Sequence, residues 1–225
     1  LPPFKRNGAG KVETCMINGE MALRSPRVTP LALRYDTFKD SVVCAEWGGQ
    51  QWRPFGDADY TRLRIAMEHD GLFNVGREMI RDGVHLVARE DAFDTAMTWI
   101  ENLVWDGTPR VETFWIDHFG VGDDKPGYAR AVALYTWAAL AGRVMVPGVQ
   151  ADMVPILTGR QGMRKSRGVL AMAPTPSFAT NMNFHEPEVE RARKMRGKVV
   201  VELAELQGLR SRDSEEILAW VTRSE

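Results

Sequence analysis

The sequence predicts a mixed α/β fold: a parallel-sheet core in the last third of the chain, incomplete at its carboxyl end, preceded by a mainly helical module. Three observations carry this. Residues 152–157 (Asp-Met-Val-Pro-Ile-Leu) form a short apolar run, followed by a glycine-bearing loop and then by Lys165-Ser166, which opens a helical pattern. Residues 199–201 are consecutive valines leading to Glu202, the composition of a strand buried on both faces of a parallel sheet. Between residues 57 and 146, apolar side chains recur at helical spacing in several separate stretches. The expected division is therefore a small extended or β module over 1–55, a helical module over 56–150, and the opening part of an α/β core over 151–225.

Bulk composition bounds the possibilities. A chain of 225 residues with 44% hydrophobic content holds enough apolar surface for a packed core. Net charge is −1 with 26% charged residues, so there is no global basic excess and any polyanion site must be local. Cys15 and Cys44 form neither metal-ligand spacing nor a disulfide framework, which suits a reducing cytoplasm. No apolar run approaches membrane-spanning length, and the first residues lack a signal-peptide core. The chain opens without Met and stops straight after a helical pattern, so a fragment of a longer protein is expected.

In the first module, glycines and prolines punctuate short extended pieces. Residues 41–47 (Ser-Val-Val-Cys-Ala-Glu-Trp), ended by Gly48-Gly49, read as a strand and turn. Trp47, Trp52 and Phe55 follow closely and read as the cap of a small hydrophobic cluster. Base stacking would need basic interleaving on one face, and only Arg53 offers it. Asp57 is the expected N-cap of a helix through Leu63, Ile65 and Met67, closing near Gly71. A second helix is expected over 75–89, with Met79, Ile80, Val84 and Val87 at helical spacing and Gly83 weakening its middle. The pair has the outline of a helix-turn-helix, which packing modules share. A third helix is expected over 91–103, carrying Phe93, Met97, Ile100 and Leu103 on one face, and then a turn at Asp106-Gly107-Thr108-Pro109. Residues 111–119 read as a short amphipathic helix, and 128–146 as the most apolar one, stopped by Pro147-Gly148. His69, His85, His118 and His185 are scattered with no pair at ligand spacing.

The stretch from Gly159 to Ser166 has the order of parts of a phosphate-cradling loop. Against G-x-x-x-x-G-K-[ST], Gly159, Lys165 and Ser166 fall in register. Arg164 holds the place of the second glycine, and Gly162 supplies some of the missing backbone freedom. The candidate nucleotide-contacting set is Gly159, Arg160, Gln161, Gly162, Met163, Arg164, Lys165, Ser166 and Arg167. The Lys165 ammonium would neutralise β- and γ-phosphate oxygens. In a right-handed backbone Arg164 is sterically allowed with its N–H turned inward; otherwise the loop is degraded and binds weakly or not at all. Arg160, Arg164 and Arg167 make the loop cationic, which favours a phosphate ligand. A phosphate loop calls for a second strand ending in acid, to hold Mg²⁺ and position water. Glu202 stands at the end of such a strand, and Glu205 falls three residues on. A carboxylate is too costly to bury unpaired; Mg²⁺ bridged to the Ser166 hydroxyl and to ATP phosphate oxygens would satisfy Glu202. Glu205 would orient the attacking water, so Lys165 and Glu205 are the candidate catalytic residues.

With both elements in place, the chain resembles the virulence-associated protein E family of phages and mobile genomic islands. The likeness is carried by Tyr35-Asp36-Thr37-Phe38, by Trp105-Asp106-Gly107-Thr108-Pro109-Arg110, and by residues 149–157 leading into Gly159-Arg160-Gln161-Gly162. It continues through Arg196-Gly197-Lys198 and Glu202-Leu203-Ala204-Glu205-Leu206. The resemblance implies a P-loop NTPase akin to superfamily 3 helicases, serving replication of a mobile element, often beside a primase module. It implies ATP and Mg²⁺ as cofactors, DNA (single-stranded) as partner, and a homo-oligomeric ring when the protein is complete. Where the family pattern has Gly-Lys-Ser-Thr, Arg164 and Arg167 replace the outer two residues. The other expectation is a DNA-binding or assembly module that keeps the loop only as scaffold.

Overall fold

In the computed structural model, which describes residues 1–72, 74–122, 125–183, 185–203 and 220, the chain divides into two units, Leu1–Thr98 and Trp99–Glu225. The first unit begins with α1 (Met16–Leu23) and a hairpin of β1 (Leu31–Asp36) and β2 (Ser41–Glu46). β3 (Arg53–Pro54), α2 (Asp57–His69), α3 (Arg77–Glu90) and β4 (Ala92–Phe93) follow, then α4 (Thr95–Glu101), which crosses the boundary between units. The sheet order is β3-β2-β1-β4. The hairpin register sets Leu33 opposite Cys44 and Tyr35 opposite Val42, and strand alternation turns these four to one face. That face forms the core with Ala22 and Leu23 of α1, Leu63 and Met67 of α2, and Ile80, Val84 and Ala88 of α3. The cut expected at residue 55 runs through this core. The expected strand over 41–47 is β2.

Four local details differ from the sequence reading. Gly56, not Asp57, is the N-cap of α2, because Asp59 accepts the Gly56 N–H (3.0 Å) while also taking a two-pronged ion pair from Arg53. Gly83, read as a weakness in α3, is a packing device: a Cβ there would lie 2.9 Å from Leu23 Cδ1. The helix expected over 91–103 is split, since Ala92–Phe93 pair in parallel with Tyr35 and Asp36. α4 then starts afresh at Thr95. Its first turn is tied by Asp94, which accepts the Met97 N–H (2.8 Å), and by the buried Asp36, which accepts from the Thr95 hydroxyl. The three aromatics read as one cap diverge: Phe55 meets Tyr60 edge-on, Trp47 donates to the Thr29 carbonyl, and Trp52 faces the Arg34 guanidinium.

The second unit holds α5 (Phe114–Phe119), α6 (Pro126–Met145), α7 (Lys165–Leu170), a 3₁₀ turn at Pro176–Phe178, β5 (Ala179–Met182), α8 (Glu188–Met195) and β6 (Val200–Leu203). The cut expected at residue 150 lies inside it. The turn before α5 is as expected, with Gly107 at φ 82° and Asp106 accepting the Thr108 N–H (2.9 Å) and a paired contact from Arg110. Phe114 meets Trp115 and Phe119 of its own helix and Trp137 of α6, joining α5 to α6 through rings. β5 and β6 pair in parallel, Ala179 opposite Val200 and Asn181 opposite Glu202, with α8 as the crossover that parallel strands require. The valine run is therefore a strand of a parallel sheet, as its composition predicts.

The apolar run at 152–157 is not a strand. Met153, Val154 and Ile156 are exposed. Pro155 removes a ladder donor from the centre of the run, and no strand among the described residues pairs with it. The Met153 N–H instead donates to the Tyr135 hydroxyl of α6 (2.9 Å). Among the described residues no helix is long and apolar enough to cross a membrane. The class is thus mixed α/β, and the described residues of the second unit supply two strands of parallel sheet.

Candidate functional site

The loop that ends at α7 is shaped by three residues with positive φ: Gly159 at 154°, Gly162 at 85° and Arg164 at 57°. Two are glycines, which take such angles without a Cβ penalty. Arg164 is not, and with ψ 27° it sits squarely in the left-handed region as the N-cap of α7. The right-handed backbone that would accommodate an arginine is therefore not what this loop adopts. The glycine of the phosphate-loop pattern marks a position where the chain must turn left-handed, and arginine makes that turn at a cost of about 1–2 kcal/mol.

Lys165 closes the loop on itself. Its Nζ donates to the carbonyls of Gly159 (2.9 Å) and Arg160 (3.0 Å), so the ammonium lies across the loop. Arg160, Gln161, Met163, Arg164, Ser166 and Arg167 are exposed. None of the four cations Arg160, Arg164, Lys165 and Arg167 forms an ion pair among the described residues. The loop thus gathers positive charge with no ion-paired carboxylate among the described residues.

The acid strand meets this loop through α7, which packs against β6. Glu202, on β6, is half-buried, and its Oε2 is buried without a hydrogen-bond partner among the described residues. An unpartnered carboxylate oxygen in such a place costs free energy until a cation or donor reaches it. Glu205, the other predicted acid, lies outside the described residues. Magnesium sites commonly use one or two carboxylates and complete their shell with water and phosphate oxygens. Ser166 and Glu202 are the residues here that could contribute to such a set; among the described residues no group of three or more His, Cys, Asp or Glu side chains gathers.

Three features escape sequence reasoning. Asn181 stands beside Glu202 by the parallel register, a neighbour invisible across twenty residues of intervening chain. At the carboxyl end of β5, where open α/β sheets place their ligands, Glu186 accepts from Lys194 (2.7 Å) and from the Asn183 N–H (3.2 Å). The Lys194 contact, aided by that N–H, holds the Glu186 carboxyl below its usual range. A third contact joins the loop's helix to α5: a Cβ on Gly168 would lie 2.8 Å from Cε1 of Phe119.

No curated protein matches this chain. The family described as virulence-associated protein E-like domain matches residues 100–225, a range that begins one residue after the second unit does. This match covers more than half of the sequence and takes in every motif that carries the resemblance except Tyr35-Asp36-Thr37-Phe38, which lies outside it. The chain belongs to the virulence-associated protein E-like domain family.

Proposed function

We propose that this protein binds and hydrolyses ATP as a DNA-helicase-like component of phage or mobile-element replication, its second unit forming part of a P-loop NTPase core. The observation that carries the reading is the packing of α7 on β6, which joins a cationic loop ending in Lys165-Ser166 to a strand bearing a carboxylate with an orphaned oxygen. In this reading the loop from Gly159 to Arg167 wraps the phosphates with backbone N–H groups. Lys165 exchanges its two carbonyl contacts for β- and γ-phosphate oxygens. Ser166 and Glu202 would hold Mg²⁺, which when bound offsets the charge on the transferred phosphoryl group. Glu205 would orient the attacking water. Single-stranded DNA, a primase module and further copies of the chain in a ring are the partners this reading assigns.

Turnover of ATP by the protein, with and without single-stranded DNA, tests it. DNA-stimulated hydrolysis lost in both Lys165→Ala and Glu202→Gln is expected. Hydrolysis that survives Lys165→Ala sinks the assignment.

A second reading has its own observation. Arg164 occupies a left-handed position that a working loop fills with glycine, as in a DNA-binding or assembly module whose loop is only scaffold. In that case wild-type and Lys165→Ala proteins bind DNA equally and neither turns over ATP.

A further inference from the structure

We infer that Phe119 is a positioning residue for the phosphate loop: its ring, seated on Gly168, sets how α7 stands and hence where Lys165 and Ser166 present their donors. This rests on the nucleotide reading above. α7 has six residues, too few to hold a direction by its own hydrogen bonds. What packs on it decides its tilt. β6 is one such support and the Phe119 ring is another.

The second contact leaves no slack. A Cβ on Gly168 would meet Phe119 Cε1 at 2.8 Å and Cζ at 3.0 Å. Gly168 is absent from the positive-φ glycines, so no left-handed turn requires it. A glycine within a helix costs about 1 kcal/mol relative to alanine, and close approach of the ring is the reason this structure offers for it. Nor is the ring a loose end that yields. Phe119 lies 4.8 Å from Trp115, which is buried, and 5.7 Å from Phe114, centroid to centroid, and Phe114 abuts Trp137 of α6 at 5.0 Å. An extra methyl at 168 therefore displaces the short helix, not the aromatic cluster, and the displacement is delivered to Lys165 three residues away.

The test measures the dissociation constant for a fluorescent ATP analogue with Mg²⁺, alongside thermal unfolding of each variant. Gly168→Ala is expected to weaken binding about tenfold, within the roughly 10²-fold that an ångström of misplacement can cost. Trimming the ring in the double variant Phe119→Leu/Gly168→Ala is expected to restore most of that affinity. A purely structural contact would lower the unfolding temperature without moving the dissociation constant and would show no such rescue. An unchanged constant in Gly168→Ala, in a protein whose Lys165→Ala variant does lose affinity, overturns the positioning role while leaving the nucleotide site intact. Should Gly168→Ala fail to fold, Phe119→Trp presses on α7 from the other side and is expected to weaken binding likewise; unchanged affinity there overturns the inference. A wild-type protein with no affinity for the analogue overturns the nucleotide reading and this inference together.

Discussion

Arg164 shows how much one residue can hold. Its φ of 57° is a conformation that any side chain with a Cβ resists, and the loop adopts it with an arginine in place. Replacement by glycine removes the left-handed penalty of about 1–2 kcal/mol and adds back some unfolded-state entropy, leaving a net gain of about 0.5–1 kcal/mol. Arg164→Gly is therefore expected to raise the unfolding temperature and to tighten nucleotide binding, whereas Arg164→Ala, which keeps the Cβ, is expected to do neither. Equal unfolding temperatures for the two variants would remove backbone strain from the explanation. In the first unit Asp59 is the telling residue. It is buried, and its carboxyl is held below the usual range by the Arg53 guanidinium first and by the Gly56 N–H after it. A carboxyl whose pKa is lower folded than unfolded stabilises the fold above its unfolded value, about 3.9, and ceases to do so as the pH falls through its folded one. Asp59→Asn should accordingly destabilise the protein at pH 7, by roughly 1–3 kcal/mol, with the gap to wild type closing below about pH 4. Denaturant titrations across that range measure it, and a gap that stays constant with pH would contradict the pairing.

At the scale of elements, what was legible followed side-chain pattern, and what was not followed partners. The valines before Glu202 read as a strand because β-branched residues in a row have few other homes, and they form one. Its partner β5, Ala179-Thr180-Asn181-Met182, carries no such pattern and is a strand only because β6 lies beside it. The run at 152–157 is the opposite case: apolar enough to read as a strand, yet unpaired and interrupted by Pro155. The site divides the same way. Lys165, Ser166 and Glu202 could be named as candidates from the sequence because a phosphate and metal site would demand those groups in that order. The left-handed Arg164, the lysine folded onto its own loop and the Phe119 ring on Gly168 could not be, since each depends on a dihedral angle or on a contact between distant stretches. Gly83 makes the point testable. In an isolated helix, glycine to alanine adds up to about 1 kcal/mol of stability. Here the new methyl would fall 2.9 Å from Leu23 Cδ1, on a leucine that is itself fully buried. Overpacking of this kind costs about 1–3 kcal/mol, so Gly83→Ala is expected to destabilise. A more stable variant by chemical denaturation would mean that α1 and α3 have room the structure does not show.

The whole chain joins two bodies with separate reasons to fold. The first is closed by a core that runs from Phe4 to Ala88 and draws on one sheet face and three helices. Every residue of that core lies within Leu1–Thr98. The proposed site residues, from Gly159 to Glu205, belong to the other body, within the range that matches the virulence-associated protein E-like domain. A division of labour follows from these two facts. Residues 1–103, cut so that α4 stays whole, are expected to unfold in one cooperative transition and to show no affinity for the ATP analogue. In the intact protein, Lys165→Ala is expected to abolish that affinity while leaving the acid transition governed by Asp59 where it is in wild type. Two bodies that fold separately would give independent readouts, since groups with no shared partners act additively to within a few tenths of a kcal/mol. If residues 1–103 are instead unfolded, or if Lys165→Ala shifts the acid transition, the core that appears closed in the first unit leans on the second, and the two bodies form one cooperative fold.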